Sequence, residues 1–257
     1  MDYEQFKEQV LLLTKINLHM YKEKQMKRRI DSLIAKNKID GYKNYVDAIK
    51  KDAKLFDEFV NYLTINVSEF WRNPDQWKIL EEQVLPELVK TSSRGLNVWS
   101  AACSTGDEPY SLVMLLSKFY PLSNIKVLAT DIDKQVLEKA RVGLYNEKSI
   151  AGLPDEFKRK YFTKIGTSSY QISEDIKKCV EFKQGNLLAD KYPSNLDLIL
   201  CRNVVIYFTD EAKMDIYKKF NASLKTGGYL FVGSTEQIIN YKDLGYSSFK
   251  SFFYKKN

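Results

Sequence analysis

Apolar positions in the first quarter of the chain recur at helical spacing, and none of this stretch alternates in the manner of a β-strand. The two clearest stripes are Phe6, Val10 and Leu13, and then Met26, Ile30, Leu33 and Ile34. Spacings of three and four residues place such side chains on one face of a helix. Asp40-Gly41 and the polar run 50–52 separate further candidate helices. The pattern predicts a small all-α domain over about residues 2–63.

The pattern changes after Gly95, where short apolar runs alternate with helical stretches. The predicted strands are 96–100, 125–130, 180–183, 196–201 and 229–232, and the predicted helices are 108–120, 134–144 and 210–224. Such alternation is typical of a parallel, doubly wound α/β sheet. The interval from 131 to 180 is too long for one crossover helix, and within it 159–165, 166–169 and 170–173 predict strand, turn and strand. We expect residues 146–180 to form a small antiparallel β insertion.

Two further segments complete the predicted organisation. Asn73-Pro74 ends the N-terminal pattern, and residues 76–90 predict a linking helix that is interrupted near Pro86. Residues 249–254 predict a final edge or hairpin strand after the turn at Gly245. We therefore predict a helical domain at 1–70, a linker helix at 71–94, and a doubly wound domain at 95–257 that contains the 146–180 insertion.

The composition narrows the class of protein. A chain of 257 residues can hold one α/β domain and a small second domain. The three cysteines are widely spaced without a C-x-x-C pair, and the single histidine, His19, lies far from the α/β part, so we expect neither a disulfide framework nor a metal site. The first residues carry no basic signal region and the apolar run at 10–13 is short, which predicts a cytoplasmic protein without membrane insertion.

The basic residues are concentrated in one predicted helix. The net charge is +7, and residues 22–38 hold seven Lys or Arg against two acidic groups, which favours an acidic macromolecular partner. Lys24 and Arg28 project opposite the apolar stripe of this helix, with Arg29 and Lys36 on its flank. Two interpretations fit equally: a solvated charged face, or a surface that docks an acidic helix.

Polar residues follow the carboxyl ends of the predicted parallel strands. Gly106 allows a tight turn after the first strand with Glu108 just behind it, Asp131 ends the second strand, Asn186 follows the third, and Arg202-Asn203 follow the fourth. Open α/β sheets bind their ligands at this edge. An adenosine-type cofactor is therefore expected.

The residue types at these positions favour one such cofactor. The dinucleotide fingerprint G-x-G-x-x-G is absent, which argues against NAD. S-Adenosylmethionine fits better, because its ribose diol suits the carboxylate of Asp131, its adenine edge suits the amide of Asn186, and its ammonium group suits Glu108. Arg72 is a candidate partner for its carboxylate.

The segment Asn66-Val-Ser-Glu-Phe-Trp-Arg72 follows the helical part. One interpretation is a helix terminus capped by Ser68, with Phe70 and Trp71 in a core. That interpretation leaves the polar side chains of Asn66, Ser68 and Arg72 unexplained. The alternative is that these three project together into a cleft.

Four motifs in fixed order carry a resemblance over essentially the whole chain. They are Asn66-Val-Ser-Glu-Phe-Trp-Arg72, Trp99-Ser-Ala-Ala-Cys-Ser-Thr-Gly-Asp-Glu-Pro-Tyr-Ser111, Thr130-Asp-Ile-Asp133 and Cys201-Arg-Asn-Val-Val-Ile-Tyr-Phe208. The chain resembles the CheR family of chemotaxis-receptor methyltransferases. Ser68 stands where many members have Thr, and Trp71 where many have Phe, and both keep the hydroxyl or aromatic group.

The resemblance implies a Rossmann-like, S-adenosylmethionine-dependent methyltransferase domain. It implies transfer of a methyl group to glutamate side chains on the cytoplasmic helices of chemoreceptors, with S-adenosylhomocysteine as product. The cofactor-binding positions that it implies are Asn66, Ser68, Arg72, Glu108, Asp131, Asn186, Leu187, Arg202 and Asn203. Arg72 and Tyr207 lie nearest the expected chemistry, and Lys24, Arg28 and Arg29 would dock the receptor.

The implied reaction needs no strong base. Glutamate has a pKa of about 4.3 and is already ionised at neutral pH, so a catalytic histidine is not required. We expect Arg72 to orient a carboxylate and the Tyr207 hydroxyl to position the substrate or the methyl donor. Aromatic packing after a strand explains Tyr207 equally well.

Three other functions compete on the residues alone. A nucleic-acid methyltransferase would explain the charge, but residues 201–204 carry neither the proline-rich motif of amino-directed DNA enzymes nor the Pro-Cys pair of cytosine C5 enzymes. A non-catalytic S-adenosylmethionine-binding regulator would need Glu108 and Asp131 but not Arg72 and Tyr207, and an NAD-linked oxidoreductase lacks its fingerprint. We predict a monomer that binds no nucleic acid and no metal, and the short turn at 165–169 favours an insertion that does not tether a receptor peptide.

Overall fold

The computed structural model describes all 257 residues, and the chain divides into two compact units. The first comprises Met1–Asn66 together with Tyr207–Ile216, and the second comprises Val67–Ile206 and Tyr217–Asn257. No helix is both long enough and apolar enough to cross a membrane.

The first unit contains four helices, as the apolar periodicity predicts. They are α1 (Tyr3–Thr14), α2 (Glu23–Lys36), α3 (Gly41–Lys51) and α4 (Ala53–Thr64), with a short 3₁₀ turn at Leu18–Met20. Asp2 starts α1 with a capping box, because its carboxylate accepts from Gln5 N and the Gln5 side chain accepts from Asp2 N. Phe6 and Phe59 are fully buried in the core of this unit.

A later segment of the chain joins the first unit by backbone pairing. Lys22 N donates to Tyr207 O at 2.9 Å, and Thr209 N donates to Met20 O at 2.9 Å. The rings of Tyr21 and Phe208 meet edge to face at 4.9 Å. This pairing fixes the main chain from Tyr207 to Thr209.

The second unit is built on a seven-stranded sheet. Its strands are β1 (Asn97–Ala101), β2 (Lys126–Asp131), β6 (Val180–Gln184), β7 (Leu196–Cys201), β8 (Leu224–Val232), β9 (Tyr246–Lys250) and β10 (Phe253–Lys256). The order is β6-β2-β1-β7-β8-β10-β9, parallel from β6 to β8 and antiparallel at β10 and β9. The chain runs outward from β1 through β2 to β6 and then returns to the other side of β1 at β7. The strand order therefore reverses between β1 and β7, which is where such sheets bind ligands.

Helices cover both faces of this sheet, as the predicted doubly wound fold requires. The helices of the unit are α5 (Pro74–Ile79), α6 (Leu85–Thr91), α7 (Asp107–Leu116), α8 (Lys134–Val142), α9 (Asp155–Tyr161), α10 (Glu174–Lys177) and the C-terminal half of α11 (Asp210–Ser223). Val98 of β1 shares a core with α6 and α7, whereas the adjacent Trp99 meets Phe220 of α11 at 5.5 Å. Successive strand residues point to opposite faces, so both faces of β1 are buried.

The predicted insertion is an antiparallel sheet, but its elements differ from the sequence expectation. The sheet has the order β3-β5-β4, with β3 at Leu144–Asn146, β4 at Phe162–Ile165 and β5 at Ser169–Ile172. Its first strand thus starts before residue 146. Residues 159–161 belong to α9 rather than to a strand, because Phe157 and Tyr161 bury one helical face and acidic residues begin the helix while basic residues end it.

Two other expectations were right only in part. Residues 249–254 are not one strand but the two sides of the β9–β10 hairpin, and Phe252 in the turn has a left-handed φ of 71°. The linking helix is continuous from 74 to 91, with a π-helical turn at Leu80–Val84 immediately before Pro86. Pro86 has no N–H for the carbonyl four residues earlier, and the wider π turn, closed by Leu85 N to Leu80 O, accommodates it.

Candidate cofactor and active site

The turn between β1 and α7 has an unusual backbone. Ala102, Ser104 and Gly106 have positive φ angles of 64°, 49° and 88°. A Cβ on Gly106 would lie 2.9 Å from Ala140 Cβ and 3.1 Å from a ring carbon of Tyr110, so only glycine fits there. Left-handed conformations of non-glycine residues are concentrated at ligand-binding sites, which fits the position of this turn at the strand-order reversal.

Asp131 ties the end of β2 to this turn. Its Oδ2 accepts from Ser104 N at 2.8 Å and its Oδ1 accepts from Asp133 N at 3.0 Å. Burial raises the pKa of Asp131 to about 6, although these backbone hydrogen bonds act in the opposite direction. A carboxylate has about four lone-pair sites, so hydroxyl groups of a ligand can still bind to it.

Glu108 and Arg202 form an ion pair at the reversal point. Arg202 Nη1 lies 3.4 Å from Glu108 Oε2, and the Ser100 hydroxyl donates to Glu108 Oε1 at 2.8 Å. Burial raises the pKa of Glu108 and lowers the pKa of Arg202, and the attraction between the two opposes both shifts. The pair joins α7 to the end of β7.

The other terminal nitrogen of the Arg202 guanidinium holds the residues around the start of α5. Its Nη2 donates to Arg72 O at 2.7 Å, to Asn73 Oδ1 at 3.0 Å and to Gln76 Oε1 at 3.0 Å. The guanidinium also lies 4.6 Å from the ring centre of Phe231. The structure therefore gives the Arg202 side chain a positioning role within the protein, and direct contact with a cofactor stays a prediction.

The segment before α5 is anchored on the first turn of α7. Ser68 hydrogen-bonds the Asp107 carboxylate, which also accepts from the Thr105 hydroxyl at 2.5 Å. Trp71 N donates to the Ser111 hydroxyl at 3.2 Å. Ser68 is not a helix cap, because the next helix begins at Pro74. The Arg72 side chain is half-buried, with Nη1 3.4 Å from Val67 O.

The remaining candidates of the second unit follow β6 and β7. Asn186 Oδ1 accepts from Leu188 N at 2.9 Å, which orients its amide, and Leu187 is buried beside it. Asn203 has a left-handed φ of 61°, and its buried Oδ1 has no partner within the protein. Eight of the nine predicted cofactor residues thus belong to this unit. Six of them lie on the loops that follow β6 and β7 or on the segment before α5, Glu108 lies in the first turn of α7, and Asp131 ends β2.

Asn66 and Tyr207 belong to the first unit. The Asn66 amide donates to the Thr64 hydroxyl at 2.9 Å, and Tyr207 ends a short 3₁₀ turn at Val205–Tyr207. Their predicted roles stay predictions.

The basic face of α2 also lies in the first unit. Lys24 and Arg28 are exposed, whereas Met26, Ile30 and Leu33 are buried, as the sequence pattern predicts. Arg29 differs from its two neighbours, because its Nη2 donates to Tyr62 O at 2.6 Å and its guanidinium stacks on the Tyr62 ring at 4.5 Å. Arg29 thus joins α2 to α4, and of the three predicted docking residues only Lys24 and Arg28 are exposed.

The residues of the second unit fit a cofactor that joins an adenosine group to an amino acid. The buried Ser104 Oγ and Asn203 Oδ1 lack hydrogen-bond partners, and buried polar atoms of this kind are normally satisfied. Asp131 offers an acceptor for hydroxyl groups, and Glu108 offers one for an ammonium group. Donors and acceptors are therefore present on the loops at the reversal point.

Two buried acidic residues were missed by sequence reasoning. Asp107 lies beside Glu108 but was given no role, although it is the acceptor for both Thr105 and Ser68. Glu236, in the loop after β8, accepts backbone N–H groups from the loop after β7. The only sequence signal for Glu236 was its position three residues after Gly233, which follows a buried strand.

Family models and curated relatives agree with this architecture. Residues 1–64 match the family described as CheR methyltransferase, all-alpha domain, and residues 66–251 match CheR methyltransferase, SAM binding domain. A chemotaxis protein methyltransferase of Listeria innocua is 44% identical over 241 residues, which cover 94% of this chain and 92% of that protein. One of Borreliella burgdorferi is 35% identical, over 94% of this chain and 89% of that protein.

A solved TehB-like SAM-dependent methyltransferase from Corynebacterium glutamicum is 14% identical, with a TM-score of 0.40, over 72% of this chain and 96% of that one. That likeness is too low to carry an argument. The family matches extend over nearly the whole chain and include a SAM-binding domain, so S-adenosylmethionine is the cofactor. The chain belongs to the CheR family of methyltransferases.

Proposed function

We propose that this protein transfers a methyl group from S-adenosylmethionine to glutamate side chains of chemotaxis receptors in the cytoplasm, forming methyl esters. The observation that carries the proposal is the extent of the similarity. Proteins named chemotaxis protein methyltransferase match 94% of the chain, and the all-alpha domain is included. The proposal is supported by the acceptors and donors on the loops after β1, β2, β6 and β7.

The chain's own residues divide the binding of the cofactor among them. Asp131 accepts the ribose hydroxyls, Asn186 meets the adenine edge, Glu108 binds the ammonium group and Arg72 binds the carboxylate. The full set of contacts in the proposal also includes Asn66, Ser68, Leu187, Arg202 and Asn203. When bound, S-adenosylmethionine supplies the electrophile, a methyl carbon attached to a positively charged sulfur. S-Adenosylhomocysteine is the product.

The acceptor is an ionised carboxylate, so the protein has to position it rather than deprotonate it. The half-buried Arg72 orients a carboxylate, that of the methyl donor in the assignment above, and the Tyr207 hydroxyl positions the substrate or the methyl donor. Tyr207→Phe removes only the hydroxyl. We expect kcat to fall about tenfold or more, the size of the loss when one positioned hydrogen bond disappears from a transition state. Unchanged methyl-transfer kinetics would leave Tyr207 a packing residue.

Receptor selection is assigned to the basic face of α2. Methylated receptor helices carry clustered glutamates, and Lys24 and Arg28 are exposed cations on this face. Lys24→Glu with Arg28→Glu should raise KM for the receptor and leave the Kd for S-adenosylhomocysteine unchanged. Lys43→Glu, a single charge reversal of the same kind at an exposed position of α3, is the control and should leave KM unaltered. A parallel loss of cofactor binding in the double variant would point to misfolding instead.

The decisive experiment identifies the chemical bond. The protein is incubated with methyl-labelled S-adenosylmethionine and receptor-containing membranes, and the labelled receptor is then treated with mild base. A methyl ester releases its label as methanol. Base-stable label would contradict carboxylate methylation, and absence of transfer with intact cofactor binding would favour a non-catalytic regulator.

A further inference from the structure

The carboxylate of Glu236 is surrounded by backbone N–H groups. Glu236 is 4% exposed, and its Oε2 accepts from Asn203 N at 2.6 Å and from Gly233 N at 2.8 Å. Its Oε1 accepts from Val204 N at 2.7 Å and from Ile206 N at 3.3 Å. Four donors on one carboxylate use about all of its lone-pair sites.

Three of these donors belong to the loop that leaves β7. That loop begins with Arg202 and the left-handed Asn203, and the chain continues directly from Ile206 into Tyr207. The N–H groups of this loop and of the short 3₁₀ turn at its end have no strand or helix partner, so their acceptor decides the conformation of the loop. Here the acceptor is a side chain contributed by another loop, the one after β8.

The position of Gly233 shows how closely the two loops approach. A Cβ on Gly233 would lie 2.5 Å from Glu236 Oε2 and 2.8 Å from Asn203 N. Only a residue without a Cβ leaves room for the contact between the loops. Glu236 is itself held by its main chain, because its N–H donates to Gly233 O at 3.0 Å and its carbonyl accepts from the Tyr217 hydroxyl at 3.4 Å.

We infer that Glu236 is a positioning residue for methyl transfer: it fixes the Asn203–Ile206 loop, and through this loop it sets Asn203 for the cofactor and the main chain that leads into Tyr207. The inference rests on the proposed function. Glu236 has no part in binding the substrate, since its two oxygens are already occupied by the backbone.

The test compares Glu236→Gln with Glu236→Asp. Glutamine keeps the size of the side chain but offers one oxygen instead of two and turns an NH₂ group toward two N–H donors. We expect a kcat lowered by about tenfold or more, equivalent to about 1.4 kcal/mol in the barrier, and a severalfold weaker Kd for S-adenosylhomocysteine. Aspartate keeps both acceptors on a shorter arm and should recover part of the lost kcat.

Glu87→Gln is the matched control. Glu87 in α6 accepts from the Tyr229 hydroxyl at 2.6 Å and from Lys255 Nζ at 2.8 Å, and it makes no contact with the β7 loop. Its side chain is 41% exposed, so Glu87→Gln should lower Tm less than Glu236→Gln does and leave kcat unchanged. The inference is overturned if Glu236→Gln keeps the wild-type kcat, or if the two variants lose activity in the same proportion to their loss of Tm.

A second readout separates this inference from the proposed function. Amide hydrogen exchange at Asn203, Val204 and Ile206 should become faster in Glu236→Gln and stay unchanged in Glu87→Gln, whichever acceptor is methylated. Faster exchange with weaker cofactor binding supports the positioning role even if receptor glutamates prove not to be the acceptor. Unchanged exchange in Glu236→Gln overturns it.

Discussion

Asp131→Asn separates two consequences of one buried carboxylate, the cost of burying its charge and its contribution to cofactor binding. Asp131 is 6% exposed, and burial raises its pKa from 3.8 to about 6. A folded-state pKa above the unfolded value means that the native state holds the proton more tightly. The stability of the protein due to this group is therefore highest at low pH and falls as the pH rises from about 4 to about 6.

The magnitude follows from the two pKa values. The difference between 3.8 and about 6 corresponds to about 3 kcal/mol by which the charged group destabilises the fold at about pH 7.5. Asparagine removes this cost but leaves the N–H of Ser104 or Asp133 without an acceptor, which costs about 1–3 kcal/mol. We expect the variant without cofactor to be as stable as the wild type, or up to about 2 kcal/mol more stable, at about pH 7.5. At about pH 5 the native carboxylate is mostly protonated, so the wild type gains about 1.4 kcal/mol of stability relative to the variant compared with about pH 7.5.

The same substitution should weaken the cofactor complex. Loss of one hydrogen bond to an ionised acceptor costs about 1.5–3 kcal/mol, which raises the Kd for S-adenosylhomocysteine by about 10- to 100-fold. Urea unfolding at the two pH values and calorimetric titration measure the two effects. Asp133→Asn is the control two residues away, because asparagine caps α8 as well as aspartate does and both quantities should change little. A large loss of stability at neutral pH in Asp131→Asn would refute the burial argument, and a wild-type Kd would refute the ribose assignment.

Three further substitutions test the geometry around the site. Arg202→Ala leaves the Glu108 carboxylate without its counter-charge, and we expect urea unfolding to show a loss of about 3–5 kcal/mol; a loss below about 1 kcal/mol would mean that solvent reaches the pair. Gly106→Ala places a methyl group 2.9 Å from Ala140 Cβ at a positive φ, so titration should show S-adenosylhomocysteine binding weakened about tenfold or more. Asp107→Asn keeps one oxygen for Thr105 or Ser68 but not both, so kcat should fall. Stability should change less, because burial raises the pKa of this carboxyl and the neutral amide avoids the cost of burying a charge. Equal relative losses in kcat and Tm would contradict this.

Elements with a strong repeat were predicted from the sequence, and elements decided by contacts were not. The helices of the first unit and the parallel strands follow from apolar spacing, because each buries one face or one continuous run. The sequence predicts one strand for the β9–β10 hairpin because its turn, Ser251-Phe252, holds no glycine, proline, asparagine or aspartate. The end of α9 was read as a strand because seven residues are too few to show a helical period.

The types and order of the site residues were determined by the sequence alone: a glycine turn with Glu108, Asp131 at the next strand end, and Arg202-Asn203 after a later strand. Local spacing was enough, because carboxyl ends of parallel strands meet at one edge. Only the tertiary structure decided which of them pair with or position other residues of the protein. Arg202 pairs with Glu108 and holds Arg72 O and Gln76, Arg29 is bound to Tyr62, and Glu236 holds a loop 33 residues earlier in the chain. These assignments depend on which donors and acceptors form hydrogen bonds or ion pairs in the folded protein. Residues far apart in sequence leave no periodic pattern from which such contacts can be predicted.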